Sequence, residues 1–292
     1  MPWFLAAILV VGVTACGGAQ DAAVQAAVSS GSASATPSPG PGASPKPSPG
    51  PSRTPRRTPT PRPTSHPAVA SGWVGPIYAP RLHGYDISYP QCPEAGAPPG
   101  ARFSVIGVNA GKAFSVNPCL RAQWQAARGI RAVYFNSGYD SRNASRVYPD
   151  CLDRSLYQEG GPERQLAYAI GCSEAVFAVN TLVAAGAKQA TMIWLDVESS
   201  NSWDPSKLDL NRTALQAEID QLAAFGRLVG LYSTYAQWRE IMGDWAPAGV
   251  VADWVAGRTP DQACGVPGFS GRPVWLAQEL DTWAGVDSDW TC

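Results

Sequence analysis

Between residues 83 and 278 the chain keeps returning to one pattern, a short apolar run followed by a stretch with helical periodicity. The runs are HGYDIS (83–88), FSVIGVNAG (103–111), RAVYFNSG (131–138), ATMIWLDVE (190–198), LVGLYST (228–234), VVADWVAG (250–257) and PVWLAQ (273–278). Continuous apolar runs of this length read as strands buried on both faces. Between them, PCLRAQWQAARG, ERQLAYAIGCSEAVFAVNTLVAAG, NRTALQAEIDQLAAFG and TYAQWREIMGDW space their apolar residues as helices do. Asn211 is placed to cap the third of these and Gly226 to close it. Strands alternating with helices make a parallel sheet covered by helices. Seven or eight strands in about 220 residues predict an α/β fold, a (β/α)8-type TIM barrel, irregular near its C-terminal end. A doubly wound open sheet would carry a glycine-rich phosphate loop after its first strand, and GYDISYPQC is not one.

The front of the chain cannot join such a fold. WFLAAILVVGVTAC is an apolar run too short to span a bilayer comfortably, and it ends in small residues. Val13-Thr14-Ala15-Cys16 resembles the lipobox of bacterial lipoproteins. That resemblance implies a signal peptide at 1–15, cleavage before Cys16 and acylation of that cysteine. Residues 16–71 are mostly Ala, Ser, Gly, Pro and Thr, with nothing to bury, and are expected to be a disordered tether of extended polyproline character. The folded domain is then 72–292. The expected location is the outer face of the cell membrane, held by the lipid, or else secreted.

Cysteine usage agrees with export. Setting Cys16 aside leaves Cys92, Cys119, Cys151, Cys172, Cys264 and Cys292, an even number that reads as disulfides. The pairing expected is Cys92–Cys119, Cys151–Cys172 and Cys264–Cys292. The first joins loops after neighbouring strands, the second ties an insertion to the next helix, and the third pins the last residue. No CxxC spacing exists and the chain has two histidines, so no metal or other cofactor is expected. A net charge of −1 gives no electrostatic reason for binding nucleic acid. A monomer is expected.

The stretch TMIWLDVESS places two carboxylates, Asp196 and Glu198, at the end of a greasy strand. Residues two apart on a strand point to one face. In a barrel, the carboxyl ends of the strands are where sites are built. Burying adjacent carboxylates is costly and raises the proton affinity of at least one, as a general acid needs. The competing reading is a structural pair. GYDIS puts Asp86 at the end of the first strand, and GVDSDW puts Asp287 and Asp289 after the last. In a closed barrel the first and last strands are neighbours, so all five acids can converge. Tyr85, Tyr134, Tyr139, Trp194, Tyr232, Trp254 and Trp275 lie at or near strand ends; sugars stack on such rings, although at least half are expected to be core. A Ser-His-Asp triad is disfavoured, since His83 is the domain's one histidine and no GxSxG elbow is present. Asn143 and Asn211 head Asn-x-Ser/Thr sequons that read as chance.

In order along the chain, GYDIS…Q (Asp86, Gln91), WLDVE (Asp196, Glu198), VGLYST (Tyr232), DWVAG (Trp254) and VWLAQ…GVDSD (Gln278, Asp287, Asp289) resemble glycoside hydrolase family 25 over about residues 83–290. Members of that family are muramidases, cleaving between N-acetylmuramic acid and N-acetylglucosamine in peptidoglycan. The resemblance implies Glu198 as the acid and Asp196 as the group that orients the 2-acetamido function. It implies Asp86 and Asp287 as the floor of the site, with Tyr134, Tyr232, Trp254, Gln278 and Asp289 also meeting glycan. Peptidoglycan or a related wall glycan is the implied partner. SRNASRVYPDCLDRSLYQEG is an insertion that would narrow or cover the groove. The alternative is a non-catalytic glycan-binding lipoprotein on the same barrel.

Overall fold

The computed structural model describes residues 75–93 and 97–292; the signal, Cys16 and the whole tether fall outside these residues. Eight strands close into a barrel in chain order. They are β1 (His83–Ile87), β2 (Phe103–Gly107), β3 (Ile130–Asn136), β4 (Ile193–Asp196), β5 (Val229–Ser233), β6 (Ala252–Ala256), β7 (Val274–Trp283) and β8 (Val286–Thr291). The described residues also form α1 (Leu120–Ala126), α2 (Pro149–Ser155), α3 (Pro162–Ala185), α4 (Leu208–Ala224), α5 (Tyr235–Met242) and α6 (Pro260–Ala263).

Each strand from β1 to β7 pairs in parallel with the next. β8 is antiparallel to both its neighbours, β7 and β1. This is the irregularity expected near the C-terminal end, and it places Asp287 and Asp289 on a strand of their own, where the sequence put them after the last strand. The reason is the connection. Ala284 and Gly285 alone join β7 to β8, both at positive φ (55° and 84°). A two-residue turn of that kind makes a hairpin, and a hairpin is antiparallel.

Alternation along the strands builds two apolar layers. Phe103, Met192, Trp194 and Trp254 point inward and plug the barrel. Gly230 makes room for that plug, since a Cβ there would stand 2.3 Å from the Trp194 indole. Ile87, Ile106, Val133 and Leu195 point outward and pack on Trp124, Leu182, Leu215 and Trp238 of the helices. Each such burial stabilises by roughly 1.5–3 kcal/mol. With the interior filled by aromatic and aliphatic groups, polar side chains are left to the strand ends.

Asn211 does not cap α4. Lys207 holds that position. Asn211 lies in the first turn, fully buried, and its amide donates to the Asp204 carbonyl (2.8 Å) and the Ile241 carbonyl (3.1 Å), tying α4 to α5. A buried Asn needs such partners, and the carbonyl at the end of α5 supplies one. The disulfides are Cys92–Cys119, Cys151–Cys172 and Cys264–Cys292, as expected. The second fastens α2 to α3, and Arg154 of α2 reaches Gln221 of α4. The helix formed by the insertion therefore lies along the outer helices and does not cover the mouth of the barrel.

Candidate active site

Asp196 ends β4, and Glu198 follows it by two residues. Asp196 stands in register with Asn136 of β3 and Tyr232 of β5. Val197 is fully buried in the outer layer, and its N–H donates to the Tyr232 carbonyl (2.9 Å). The ladder is thus extended past Asp196, and the residues on either side of Val197 point inward. Asp196 is 2 % exposed, while Glu198 is half-buried at the mouth. Two amides hold Asp196. Asn136 Nδ2 donates to Oδ2 (2.5 Å), and Asn201 Nδ2 donates to Oδ1 (3.3 Å) and to the Asp196 carbonyl (2.9 Å). Burial, with Glu198 beside it, raises Asp196 well above the usual carboxylate range, and these amides oppose the rise. Burial also raises Glu198, and the nearby Asp287 adds to it.

The other acids come from the antiparallel seam. Asp86 on β1 pairs directly with Asp287 on β8, and Asp289 pairs with Gly84 and Gln278. Gln278 Nε2 donates to Asp86 Oδ2 (2.8 Å), and Tyr232 OH donates to Gln278 Oε1 (2.7 Å). Trp254 Nε1 donates to Asp289 Oδ1 (2.9 Å). Burial, then the charge of Asp287, pushes Asp86 up to about 7. Burial and the Asp86 charge raise Asp289 well above the usual carboxylate range. Asp287, half-buried, is raised by burial. No salt bridge joins any of the five carboxyls to Lys or Arg among the described residues. Acids gathered this way hold protons near neutral pH, because each ionisation opposes the next.

Asp86, Asp196, Glu198, Asp287 and Asp289 thus form one cluster, each within electrostatic reach of others. Tyr134, Tyr232 and Trp254 make an aromatic wall beside it. The Tyr232 ring lies 4.5 Å and the Tyr134 ring 6.1 Å from the Trp254 ring, both edge-on. Trp254 is buried beneath the two half-buried tyrosines, so the tyrosines present the accessible surface. Tyr85, Tyr139, Trp194 and Trp275 are buried. His83 opens β1, its ring between Trp283 and Trp290 (centroids 3.9 and 4.3 Å away), and Nε2 meets Ser288 Oγ at 3.0 Å. Asp86 pairs with Asp287 instead, three residues along β1 and so on the other face of the sheet.

Sequence reasoning missed Asn136 and Asn201. Asn136 had a signal: it ends the third apolar run, in the same position relative to its strand as Asp196 in the fourth. Asn201 had none, since it reaches Asp196 from a turn in which its N–H donates to the Glu198 carbonyl (3.0 Å).

A family model described as Lysozyme-like protein 1 matches residues 168–254, the segment that carries Asp196, Glu198, Tyr232 and Trp254. The chain is 38% identical over 65 residues to Lysozyme-like protein 5 of Caenorhabditis elegans, a match covering 22% of this chain and 29% of that protein. The structure of a muramidase from Trichobolus zukalii superposes with a TM-score of 0.50 at 19% identity, covering 72% of this chain and 93% of that one. The likeness is one of fold, an eight-stranded α/β barrel. A family GH25 lysozyme from Aspergillus fumigatus gives a TM-score of 0.49 at 15% identity over 73% of this chain and 94% of its own.

Proposed function

We propose that the chain is a glycoside hydrolase that cuts the glycan strands of peptidoglycan, of N-acetylmuramidase type. The observation that carries the reading is the arrangement on β4. Glu198 is half-buried at the mouth with its proton affinity raised, and Asp196 lies deeper, immobilised by two amides. A group that must donate a proton near neutral pH needs a raised pKa and access to the ligand, and Glu198 has both. In the proposed step Glu198 gives its proton to the glycosidic oxygen as the bond to the anomeric carbon breaks. Asp196 stabilises the positive charge that develops there, directly or by orienting the substrate's own 2-acetamido group, and water then adds to the anomeric carbon and returns a proton to Glu198. Asp86, Asp287 and Asp289 form the floor, and Tyr134, Tyr232 and Gln278 line the sugar-binding side, with Trp254 supporting the tyrosines from beneath.

Three disulfides are compatible with an exported protein. We place the enzyme on the outer face of the cell membrane, anchored through Cys16 by a lipid and carried on the 16–71 tether, acting as a monomer on the wall. Incubating the protein with purified peptidoglycan is expected to release muropeptides with new reducing ends. Retention on insoluble wall without release would overturn the enzyme in favour of a glycan-binding barrel.

A further inference from the structure

Two carboxyls lie where this chemistry has no use for them. Glu174 on α3 and Glu218 on α4 are 2 % and 0 % exposed. They meet because the two helices touch one turn earlier. A Cβ at Gly171 would stand 2.0 Å from the Ala214 carbonyl oxygen, so the backbones are in contact there. Residue 174 follows 171 by three and residue 218 follows 214 by four, which puts both on the facing stripes. Neither carboxyl makes an ion pair among the described residues. The groups facing them are Ser137, the Gly138 N–H and, more distantly, the like charge of Asp140. Two buried carboxyls so placed cannot both ionise. Burial raises Glu218 to about 7 and Glu174 well above its usual range, with each raised or tempered by the other.

The segment in front of the pair is the one that holds Asp196. The Gly138 N–H donates to Glu174 Oε2 (3.3 Å). The Ser137 hydroxyl lies beside Glu218. The Ser137 N–H donates to the Asp196 carbonyl (3.0 Å), and Asn136, one residue back, gives its amide to the Asp196 carboxyl. Asn109 fixes the Asn136 backbone from the other side, accepting its N–H (3.1 Å) and donating to its carbonyl (3.0 Å).

We propose that Glu174 is a positioning residue: its carboxyl, enclosed against Glu218, accepts the Gly138 N–H, braces residues 136–138 against α3 and keeps the Asn136 amide on Asp196. Its meaning for catalysis rests on the hydrolase reading, but the contact itself is testable without turnover. The test is the titration of Asp196 by carbon NMR, with Asp196→Asn identifying the resonance. The Asn136 hydrogen bond lowers the proton affinity of Asp196, so loosening it moves the midpoint up. Glu174→Ala removes the acceptor for the Gly138 N–H, and the Asp196 midpoint is expected to rise. Glu174→Gln keeps an acceptor oxygen and is expected to restore it. Adding Glu174→Ala to Asn136→Ala is expected to add nothing, because both act through one contact.

A wild-type midpoint in Glu174→Ala, or simple additivity in the double variant, overturns the proposal. If thermal melts show Glu174→Ala unfolded, Glu174→Asp makes the same comparison, since it keeps the carboxyl and withdraws it by one methylene. Muropeptide release by the same proteins separates the two readings. An inert wild type overturns the hydrolase alone and leaves the titration result standing. With an active wild type, Glu174→Ala is expected to lose about 10- to 100-fold in kcat with KM held, the usual cost of a misplaced catalytic partner.

Discussion

The barrel has two unlike parts, and the site is built across their join. From β2 to β6 the strands are parallel staves, most of them backed by helices, with near-continuous apolar sequence. From β7 through β8 to β1 the wall is an antiparallel seam, with no helix between β7 and β8. The staves supply Asp196 and Glu198, with Asn136 to hold the first. The seam supplies Asp86, Gln278, Asp287 and Asp289. The family-model match, residues 168–254, falls on the staves. On the proposed reading the contrast divides the labour: the staves carry the proton donor, and the seam carries a buried network of acids and amides beside it. Each part therefore fails differently when a side chain is changed.

The largest effect is expected on the staves. Glu198→Gln keeps the shape and removes the proton, and turnover is expected to fall by about 10²–10⁴-fold, the usual worth of a general acid. Stability should change little, since Glu198 is half-buried and bonded to nothing through its carboxyl oxygens among the described residues. The wild-type rate should also decline as pH rises through the raised pKa of Glu198. Muropeptide release across pH, with melts for folding, checks both. A Glu198→Gln protein with most of its activity would move the chemistry to the seam and break the division.

On the seam the expected signature is stability against pH. Asp86 titrates near 4 in the unfolded chain and at about 7 in the fold. Below both values it is protonated in both states and its contribution is complete. As pH rises from about 4 to 7 the unfolded chain releases the proton and the fold retains it, so stability falls, by up to about 4 kcal/mol for a single isolated group. Asp287 and Asp289 titrate with it, so the loss belongs to the three together. Asp86→Asn cannot ionise and is expected to lose less stability over that window. Denaturant unfolding of both proteins at pH 4 and pH 7 measures the difference. An equal or larger drop in the variant would mean that Asp86 is not held protonated by the seam.

The same division explains what could be read without coordinates. Stave strands bury both faces, so WLDV and VGLY stand out as apolar runs, and a carboxylate pair inside one is conspicuous. β8 reads Val-Asp-Ser-Asp-Trp-Thr, with its acids turned inward. A strand whose buried side is acidic has no apolar periodicity to betray it, and so it is not among the strands read from the sequence. Its acids were still recognised as neighbours of Asp86, because barrel closure brings the first and last strands together whatever the last one looks like. Glu174 and Glu218 were hidden for the opposite reason. On a helix, a glutamate amid apolar residues reads as solvent-facing, and only the close approach at Gly171 reveals that both are enclosed. The Asn211 cap failed likewise, since a favourable cap residue was recruited for a contact with α5 that local sequence does not encode.

The smallest expected effect lies on the bond that ties the two parts together. Tyr232 belongs to the staves, and its hydroxyl donates to Gln278 of the seam, which in turn donates to Asp86. Tyr232→Phe keeps the ring against Trp254 and removes one hydrogen bond, leaving Gln278 Oε1 without that donor. A partly buried bond of this kind is worth about 1 kcal/mol, and more if the abandoned acceptor stays dry. Stability should fall by that amount. Gln278 would then be free to turn, so the Asp86 carboxyl would lose the amide that lowers its proton affinity, and its midpoint should move up from the wild-type position. Turnover should drop only a few-fold, since Glu198 and Asp196 are untouched. Denaturant unfolding gives the first quantity and carbon NMR of Asp86 the second. If the Asp86 midpoint stays put while stability falls, staves and seam touch at Tyr232 without being coupled there. If the midpoint shifts as expected, the acid network of the seam is set in part by a residue of the staves.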